Sequence, residues 1–214
     1  IPLYLGLNDF FNRHYNYKYL VKQINANQKN QEDIIINTTK WVNQNIQKVP
    51  VGVDVVDGNP LLIVHRRLGA QYQFNEILTV FLTYLNTGSY FNNDTHHQLT
   101  LFNINNYWSV LDPYYGVYFT NEKETFASIE DLKTTNWDIV NLDSQKINLS
   151  EIFLNQFQNY ENAKEYYGNL FLGVPSSKQL NNMNIFDRGG KAYVQKPFNR
   201  LKYEIYKLFN NFSF

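Results

Sequence analysis

His97 and Asp112 are the two residues whose types and spacing favour acid–base chemistry. They lie 15 residues apart, on either side of a segment whose alternating apolar residues and Asn105-Asn106 turn signal predict an antiparallel hairpin. In such a hairpin the two side chains can come within hydrogen-bond reach across the strands. An imidazole can shuttle a proton for a nucleophile, while a carboxylate fixes the tautomer and orientation of the imidazole. The pair therefore fits two of the three roles in a catalytic triad.

The third role, that of the nucleophile, has no thiol to fill it, because the chain contains no cysteine. A thiol is a useful nucleophile only as the thiolate, which a helix N-terminus and a neighbouring imidazole favour by lowering the thiol pKa. Composition therefore excludes acyl transfer through a thioester, wherever the nucleophile position is placed.

Three motifs, in this order, resemble the core of the transglutaminase-like branch of the papain-like cysteine enzymes. That family reads Gly-x-Cys-Gly-Gln at the start of a helix, then a histidine-bearing strand, then Trp-x-x-x-Asp-Pro. The matching segments here are residues 69–73 (Gly-Ala-Gln-Tyr-Gln), 97–101 (His-Gln-Leu-Thr-Leu) and 108–113 (Trp-Ser-Val-Leu-Asp-Pro). The interval from the histidine to the aspartate is also the one common in the family. The resemblance covers roughly residues 33–140, about half of the chain.

The resemblance puts Gln71 at the position of the family's cysteine. The family has one residue between its glycine and the cysteine, and a glutamine two residues after the cysteine. Gly69 and Gln73 therefore both select position 71 rather than Ala70. A carboxamide neither ionises near neutral pH nor acts as a competent nucleophile. The resemblance thus implies that no intact catalytic residue set remains, only the relic triad positions Gln71, His97 and Asp112.

The fold implied by the resemblance is α+β, with a papain-like or transglutaminase-like core in which a helix packs on an antiparallel sheet. The apolar positions from Phe74 to Leu85 follow helical spacing and predict that helix, with position 71 at its N-terminus. Residues 1–145 are predicted to form this core. Residues 146–214 are predicted to form a helical C-terminal extension packed on it.

Other segments carry their own local signals. Helices are predicted over Asp33–Gln47, Leu149–Leu172 and Phe198–Phe209, and a short one over Ile129–Lys133 with Ser128 as a possible cap. The aromatic-rich residues 3–19 lack clear periodicity. They are interpreted as a strand and turn or as an arm wrapped around the core.

Composition limits the partners. Nineteen basic and nineteen acidic residues give a formal net charge of zero, so the chain as a whole has no sequence-independent attraction to nucleic acid or anionic lipid. No apolar run approaches the roughly 20 residues that span a bilayer, so no membrane span is expected. No cofactor is expected. No metal site is expected either, because His96-His97 with Asp94 matches no known ligand spacing and no thiolate is available.

Composition and the first residues indicate the type of genome and the processing of the chain. The frequent use of Asn, Lys, Ile, Tyr and Phe is typical of an AT-rich genome. The start at Ile1, without an initiator methionine or a signal sequence, predicts processing or a piece cut from a longer chain. The absence of cysteine does not fix the compartment, and the cytoplasm is slightly favoured.

Three functions remain open at this stage. The first is a catalytically inactive transglutaminase-like domain that binds or scaffolds a peptide, protein or glycan, its relic residues holding the fold or lining a repurposed pocket. The second is a hydrolase of unknown substrate that uses His97 and Asp112, for instance to activate water. The third is a purely structural domain of a longer chain. The candidate ligand contacts are Gln73, Trp108, Tyr114 and Tyr115.

Overall fold

The computed structural model describes residues 3–50, 53, 59–92, 97–134, 136–143, 155–183 and 192–210. The helices are α1 (Leu3–Ile24), α2 (Gln31–Asn45), α3 (Pro60–Arg66), α4 (Gln71–Tyr84), α5 (Ile129–Leu132), α6 (Tyr160–Leu172), α7 (Ser177–Asn182) and α8 (Pro197–Asn210). The strands are β1 (Gln47–Lys48), β2 (Leu68–Gly69), β3 (Ser89–Asn92), β4 (Leu99–Ile104), β5 (Tyr107–Asp112), β6 (Val117–Asn121) and β7 (Trp137–Asn141).

A five-stranded antiparallel sheet forms the centre of the fold, in the order β3-β4-β5-β6-β7. The predicted hairpin is confirmed, since β4 pairs with β5 and Ile104 lies opposite Tyr107. Asn105 and Asn106 between them both have positive φ angles, a conformation that asparagine tolerates and that two-residue hairpin turns require. The short strands β1 and β2 form a separate parallel pair.

Both faces of the sheet are covered by helices. Side chains alternate along a strand, so Leu99 and Leu101 of β4 point to one face and Phe102 and Ile104 to the other. Helices α1 to α4 pack on the Phe102 face, while α5, α6 and α7 pack on the Leu101 face. The architecture is therefore α+β, as predicted. The finer assignment to a papain-like core stays a prediction.

Helix α4 is the central helix and follows its predicted apolar pattern. Its apolar stripe is fully buried against the sheet and the neighbouring helices, at Phe74, Ile77, Leu78, Phe81 and Leu82. The helix begins at Gln71. The sequence prediction of a helix with position 71 at its N-terminus is confirmed.

The prediction for the N-terminal residues is wrong, because residues 3–24 form the helix α1. One face of α1 buries Tyr17 and Val21 in the core, but the other exposes Tyr4, Leu7, Phe11 and Tyr15. Apolar residues on both faces conceal the helical period that a sequence reading relies on. Packing against α4 and its neighbours decides the conformation instead.

The remaining predicted helices are present with partly different bounds, and the helix predicted over Asp33–Gln47 is α2 (Gln31–Asn45). The short helix α5 is capped by Ser128, whose hydroxyl accepts from Asp131 N while the Asp131 carboxylate accepts from Ser128 N. The prediction of one helix over Leu149–Leu172 is wrong at its N-terminal part, because Gln158 has a positive φ of 66° and the extended Asn159 caps α6, which begins at Tyr160. The helix predicted over Phe198–Phe209 falls within α8. The proposed domain boundary at residue 145 lies outside the described residues, as do Asp94 and His96. No described helix is both long and apolar enough to cross a membrane.

Candidate functional site

Gln71, His97 and Asp112 form one continuous hydrogen-bonded chain. The amide nitrogen of Gln71 lies 2.6 Å from His97 Nδ1, and His97 Nε2 lies 2.6 Å from Asp112 Oδ2. The three residues come from the first turn of α4, the segment before β4 and the end of β5. The fold thus brings together all three positions singled out in the sequence, and each ring nitrogen of the histidine has a partner.

The segment before α4 is held close to the core by the parallel pair of β1 and β2, in which Lys48 lies opposite Gly69. A Cβ atom added at Gly69 would lie 3.1 Å from Ile46 Cγ2 and 3.3 Å from Ile63 Cγ2, so glycine permits this close approach. The Gln73 carboxamide then accepts a hydrogen bond of 2.9 Å from Ala70 N. These contacts fix where α4 begins and hence where the Gln71 side chain starts.

Asn75 ties α4 to β4 and to the segment before it that carries the histidine. Its fully buried amide donates to the carbonyl oxygens of Gln71 at 3.2 Å and Gln98 at 3.0 Å, and its Oδ1 accepts from the Thr100 hydroxyl at 2.8 Å. Sequence reasoning missed this residue. The available signal was a polar residue next to the apolar stripe of α4, which by itself does not name a partner.

Asp112 accepts four hydrogen bonds in a fully buried environment. Its Oδ1 accepts from the backbone N–H groups of Tyr114 and Tyr115, and its Oδ2 accepts from His97 Nε2 and from the Tyr167 hydroxyl at 2.6 Å. Burial opposes ionisation of this carboxyl group. The charge of His97 and the hydrogen bonds outweigh burial and hold the Asp112 pKa below its ordinary value. The carboxylate is therefore ionised at neutral pH.

Tyr167 is a fourth member of this hydrogen-bonded series, and the sequence did not reveal it. It is fully buried, and burial together with the charge of Asp112 raises its pKa well above 10. The phenol therefore keeps its proton and donates a hydrogen bond to the carboxylate. The residue lies on the predicted C-terminal helix, but its partner is 55 positions away along the chain.

Tyrosine rings enclose the histidine. The Tyr115 ring stacks on His97 with centroids 5.3 Å apart and planes 14° apart, and Tyr166 and Tyr167 approach it edge-on at 5.8 Å and 6.1 Å. Only 2% of His97 is exposed. The imidazole is thus held by ring packing as well as by its two hydrogen bonds.

The candidate ligand contacts differ in their burial. Gln73 and Trp108 are buried, the first capping α4 and the second donating from Nε1 to Asn181 Oδ1 at 2.8 Å. Tyr114 and Tyr115 are partly exposed. The Lys48 ammonium lies 4.3 Å and 5.0 Å from the centroids of their rings, within cation–π range. Burial lowers the pKa of Lys48, and the nearby charge of Asp112 opposes this.

Two surface clefts formed by described residues do not include Gln71, His97 or Asp112. One has a volume of about 320 Å³ between α2 and the end of β7, and includes Asp33, Lys40 and Asp143. The other, of about 260 Å³, lies between α1 and α3. Among the described residues, no group of three or more His, Asp or Glu side chains is arranged to hold a metal ion.

In comparisons with known proteins, the chain matches no family model, no curated protein and no solved structure. The resemblance to the transglutaminase-like enzymes therefore remains an expectation based on the three sequence motifs.

Proposed function

We propose that this chain is a catalytically inactive transglutaminase-like domain that acts as a binding or scaffolding module for a peptide, protein or glycan. The observation that supports it best is the contact between Gln71 and Nδ1 of His97. One imidazole nitrogen faces the residue at the nucleophile position and the other faces the carboxylate, which is the order of contacts in a nucleophile–His–Asp triad. The arrangement has the geometry of a triad with an unreactive carboxamide in the nucleophile's place.

A hydrolase that uses His97 as a base is less consistent with the same contacts. A general base needs a nitrogen that can reach the proton of water or substrate. Both nitrogens of His97 are engaged, one by Gln71 and one by Asp112, and the ring is almost completely buried. Activation of water would first require displacement of the Gln71 amide.

The ligand side of the proposal rests on the partly exposed groups around His97. Gln71, Tyr114 and Tyr115 are partly exposed, and Lys48 adds a positive charge over the tyrosine rings. Aromatic faces with an amide and an ammonium suit polar extended ligands such as a peptide segment or a sugar, which combine stacking with hydrogen bonds.

The substitution Gln71→Cys tests whether a relic triad is assembled. A thiol at this position would face His97 Nδ1 at the N-terminus of α4, and both features stabilise a thiolate. We expect its pKa to fall to about 7 or lower, against about 8.5 for an ordinary cysteine. The measurement is the rate of alkylation by iodoacetamide as a function of pH.

Two variants separate the contributions to that pKa. Tyr72→Cys places a thiol in the same first turn without the contact to Nδ1, so we expect a thiol pKa closer to the ordinary value. Adding His97→Ala to Gln71→Cys removes the imidazole, so the thiol pKa should also rise toward the ordinary value. An ordinary pKa for the Gln71→Cys thiol in a folded protein would contradict the proposed alignment.

The binding half of the proposal is tested with the wild-type protein on peptide and glycan arrays. We expect a ligand whose signal is lost in Tyr114→Ala, because this partly exposed ring lies under the Lys48 ammonium and packs edge-on against Tyr115, which stacks on His97. If folded wild-type protein binds neither array, or binds equally well with Tyr114→Ala, the proposed ligand surface is wrong.

A further inference from the structure

The apolar side chains of α8 face away from the rest of the protein. Their exposed fractions are 66% for Phe198, 58% for Leu201, 44% for Ile205, 59% for Leu208 and 76% for Phe209. The spacing from Phe198 to Leu208 puts these residues on a single stripe of the helix. A helix that packs only against its own domain shows the reverse arrangement, with its apolar stripe turned inward.

The side of α8 that is turned toward the protein is polar and aromatic. The partly buried residues described in the helix are Pro197, Asn199, Tyr203, Glu204 and Tyr206. The segment before the helix is anchored, since the Tyr84 hydroxyl donates to Gln195 O at 3.0 Å and Lys196 Nζ donates to Asn86 Oδ1 at 2.7 Å. The fold therefore holds α8 with its apolar stripe outward.

The charge of this segment is strongly one-sided. Residues 196–210 contain four basic residues, Lys196, Arg200, Lys202 and Lys207, and one acidic residue, Glu204. Residues 196–210 thus carry a net charge of +3, and the rest of the chain carries −3, because the whole chain sums to zero. The overall neutrality conceals a basic segment that coincides with the exposed apolar stripe.

A basic helix with Phe and Leu along one face has the character of a segment that lies in the interface of a bilayer. Anionic headgroups attract its Lys and Arg side chains, while the apolar stripe enters the boundary with the acyl chains. Pairing with a second copy of the chain is less consistent, because it would bring two basic segments together. We propose that α8 docks this protein on the surface of an anionic phospholipid bilayer. This inference goes beyond the proposed function and does not depend on it.

The experiment is vesicle flotation with the full chain. We compare vesicles of phosphatidylcholine alone with vesicles of phosphatidylcholine and phosphatidylserine. We expect binding to the anionic vesicles to be stronger by about tenfold or more, and to weaken as salt is added, because surface charges are screened. Equal binding to both compositions, or binding to neither, would overturn the proposal.

The apolar stripe is tested by the double substitution Leu201→Glu with Ile205→Glu. Two carboxylates in the stripe should lower the vesicle partition coefficient by roughly tenfold or more. Both positions are exposed, so the thermal unfolding of the protein should change little. Leu7→Glu is the matched control, since Leu7 is 49% exposed on α1, and we expect it to bind vesicles as the wild type does.

Two further outcomes would overturn the assignment of the partner. If the double substitution leaves vesicle binding unchanged, or Leu7→Glu abolishes it equally, α8 is not the docking element. If light scattering shows a dimer that the double substitution dissociates, and vesicles are not bound, the stripe serves self-association instead.

Discussion

At the scale of single residues, Gln71 completes a hydrogen-bonded chain with His97 and Asp112. The Gln71 amide nitrogen lies 2.6 Å from Nδ1 of His97, and Asp112 Oδ2 lies 2.6 Å from Nε2, so both ring nitrogens are engaged. A thiol would instead exchange a proton with the imidazole. The carboxamide occupies one nitrogen of the ring and has no proton to lose near neutral pH.

Asp112 is a fully buried carboxylate that accepts four hydrogen bonds, so the stability of the protein should depend on it. Asp112→Asn puts an amide N–H₂ where buried donors now point, and it removes the charge that pairs with His97. We expect the free energy of unfolding at neutral pH to fall by roughly 3 kcal/mol. Urea denaturation measures this, with the exposed Asp143→Asn as the control that should change little. An Asp112→Asn protein as stable as the wild type would show that the buried carboxylate contributes nothing.

The lowered pKa of Asp112 implies that the stability of the protein depends on pH. The Asp112 pKa in the folded protein lies below the ordinary 3.8, so its contribution to stability is present above 3.8. This contribution is lost as the pH falls through the ordinary value toward the lower folded one. Acid unfolding should therefore be less steep in Asp112→Asn than in the wild type when both are followed by circular dichroism.

At the scale of elements, α6 completes the site from the far end of the chain. Tyr167 reaches Asp112 from this helix, and its ring packs on Phe119 of β6 with centroids 4.9 Å apart. The C-terminal segment is thus part of the structure that positions the histidine. A helix predicted from its aromatic residues alone carries no indication of this role.

Tyr167→Phe tests the link between α6 and β5. It removes one donor to a buried carboxylate and keeps the ring, so we expect a loss of about 2 kcal/mol in the free energy of unfolding. It should also raise the Asp112 pKa and move acid unfolding to higher pH, an effect that lost packing alone does not produce. The matched control is Tyr166→Phe, because the Tyr166 ring also packs on His97. Equal effects of the two variants would contradict the assigned role of the Tyr167 hydroxyl.

Elements differ in how far local sequence predicts them. The helix α4 and the hairpin of β4 and β5 follow from apolar spacing and an Asn-Asn turn, which are local signals. Helix α1 does not, since its exposed side also carries large apolar residues. The conformation of α1 depends on contacts with Phe81 and Tyr84 of α4, about sixty residues further along the chain.

At the scale of the whole molecule, the sheet needs helices on both faces. Helices α5 to α7 cover a buried apolar face that includes Leu101, Val110, Phe119 and Ile139. Two of these three helices lie in the predicted C-terminal extension. These helices are therefore needed to bury one side of the sheet. The division into a core of residues 1–145 and an extension of residues 146–214 stays a prediction.

Truncation tests this dependence. A chain ending after residue 143 would leave that apolar face in water, so we expect no cooperative urea transition and strong binding of a hydrophobic dye. A chain ending after Lys196 removes the mostly exposed α8 and should keep a cooperative transition. Cooperative unfolding of the shorter chain would instead mark residues 1–143 as an independent domain.

The sequence by itself determined the absence of thiol chemistry, the central helix with Gln71 at its start, and the hairpin between His97 and Asp112. Composition and short-range periodicity are enough for such features. Only the tertiary structure decided that Gln71 contacts His97, that Asn75 and Tyr167 secure the site, and that α8 turns its apolar stripe outward. These features depend on contacts between distant segments, or on which side of a helix the fold leaves exposed, and no local pattern encodes either.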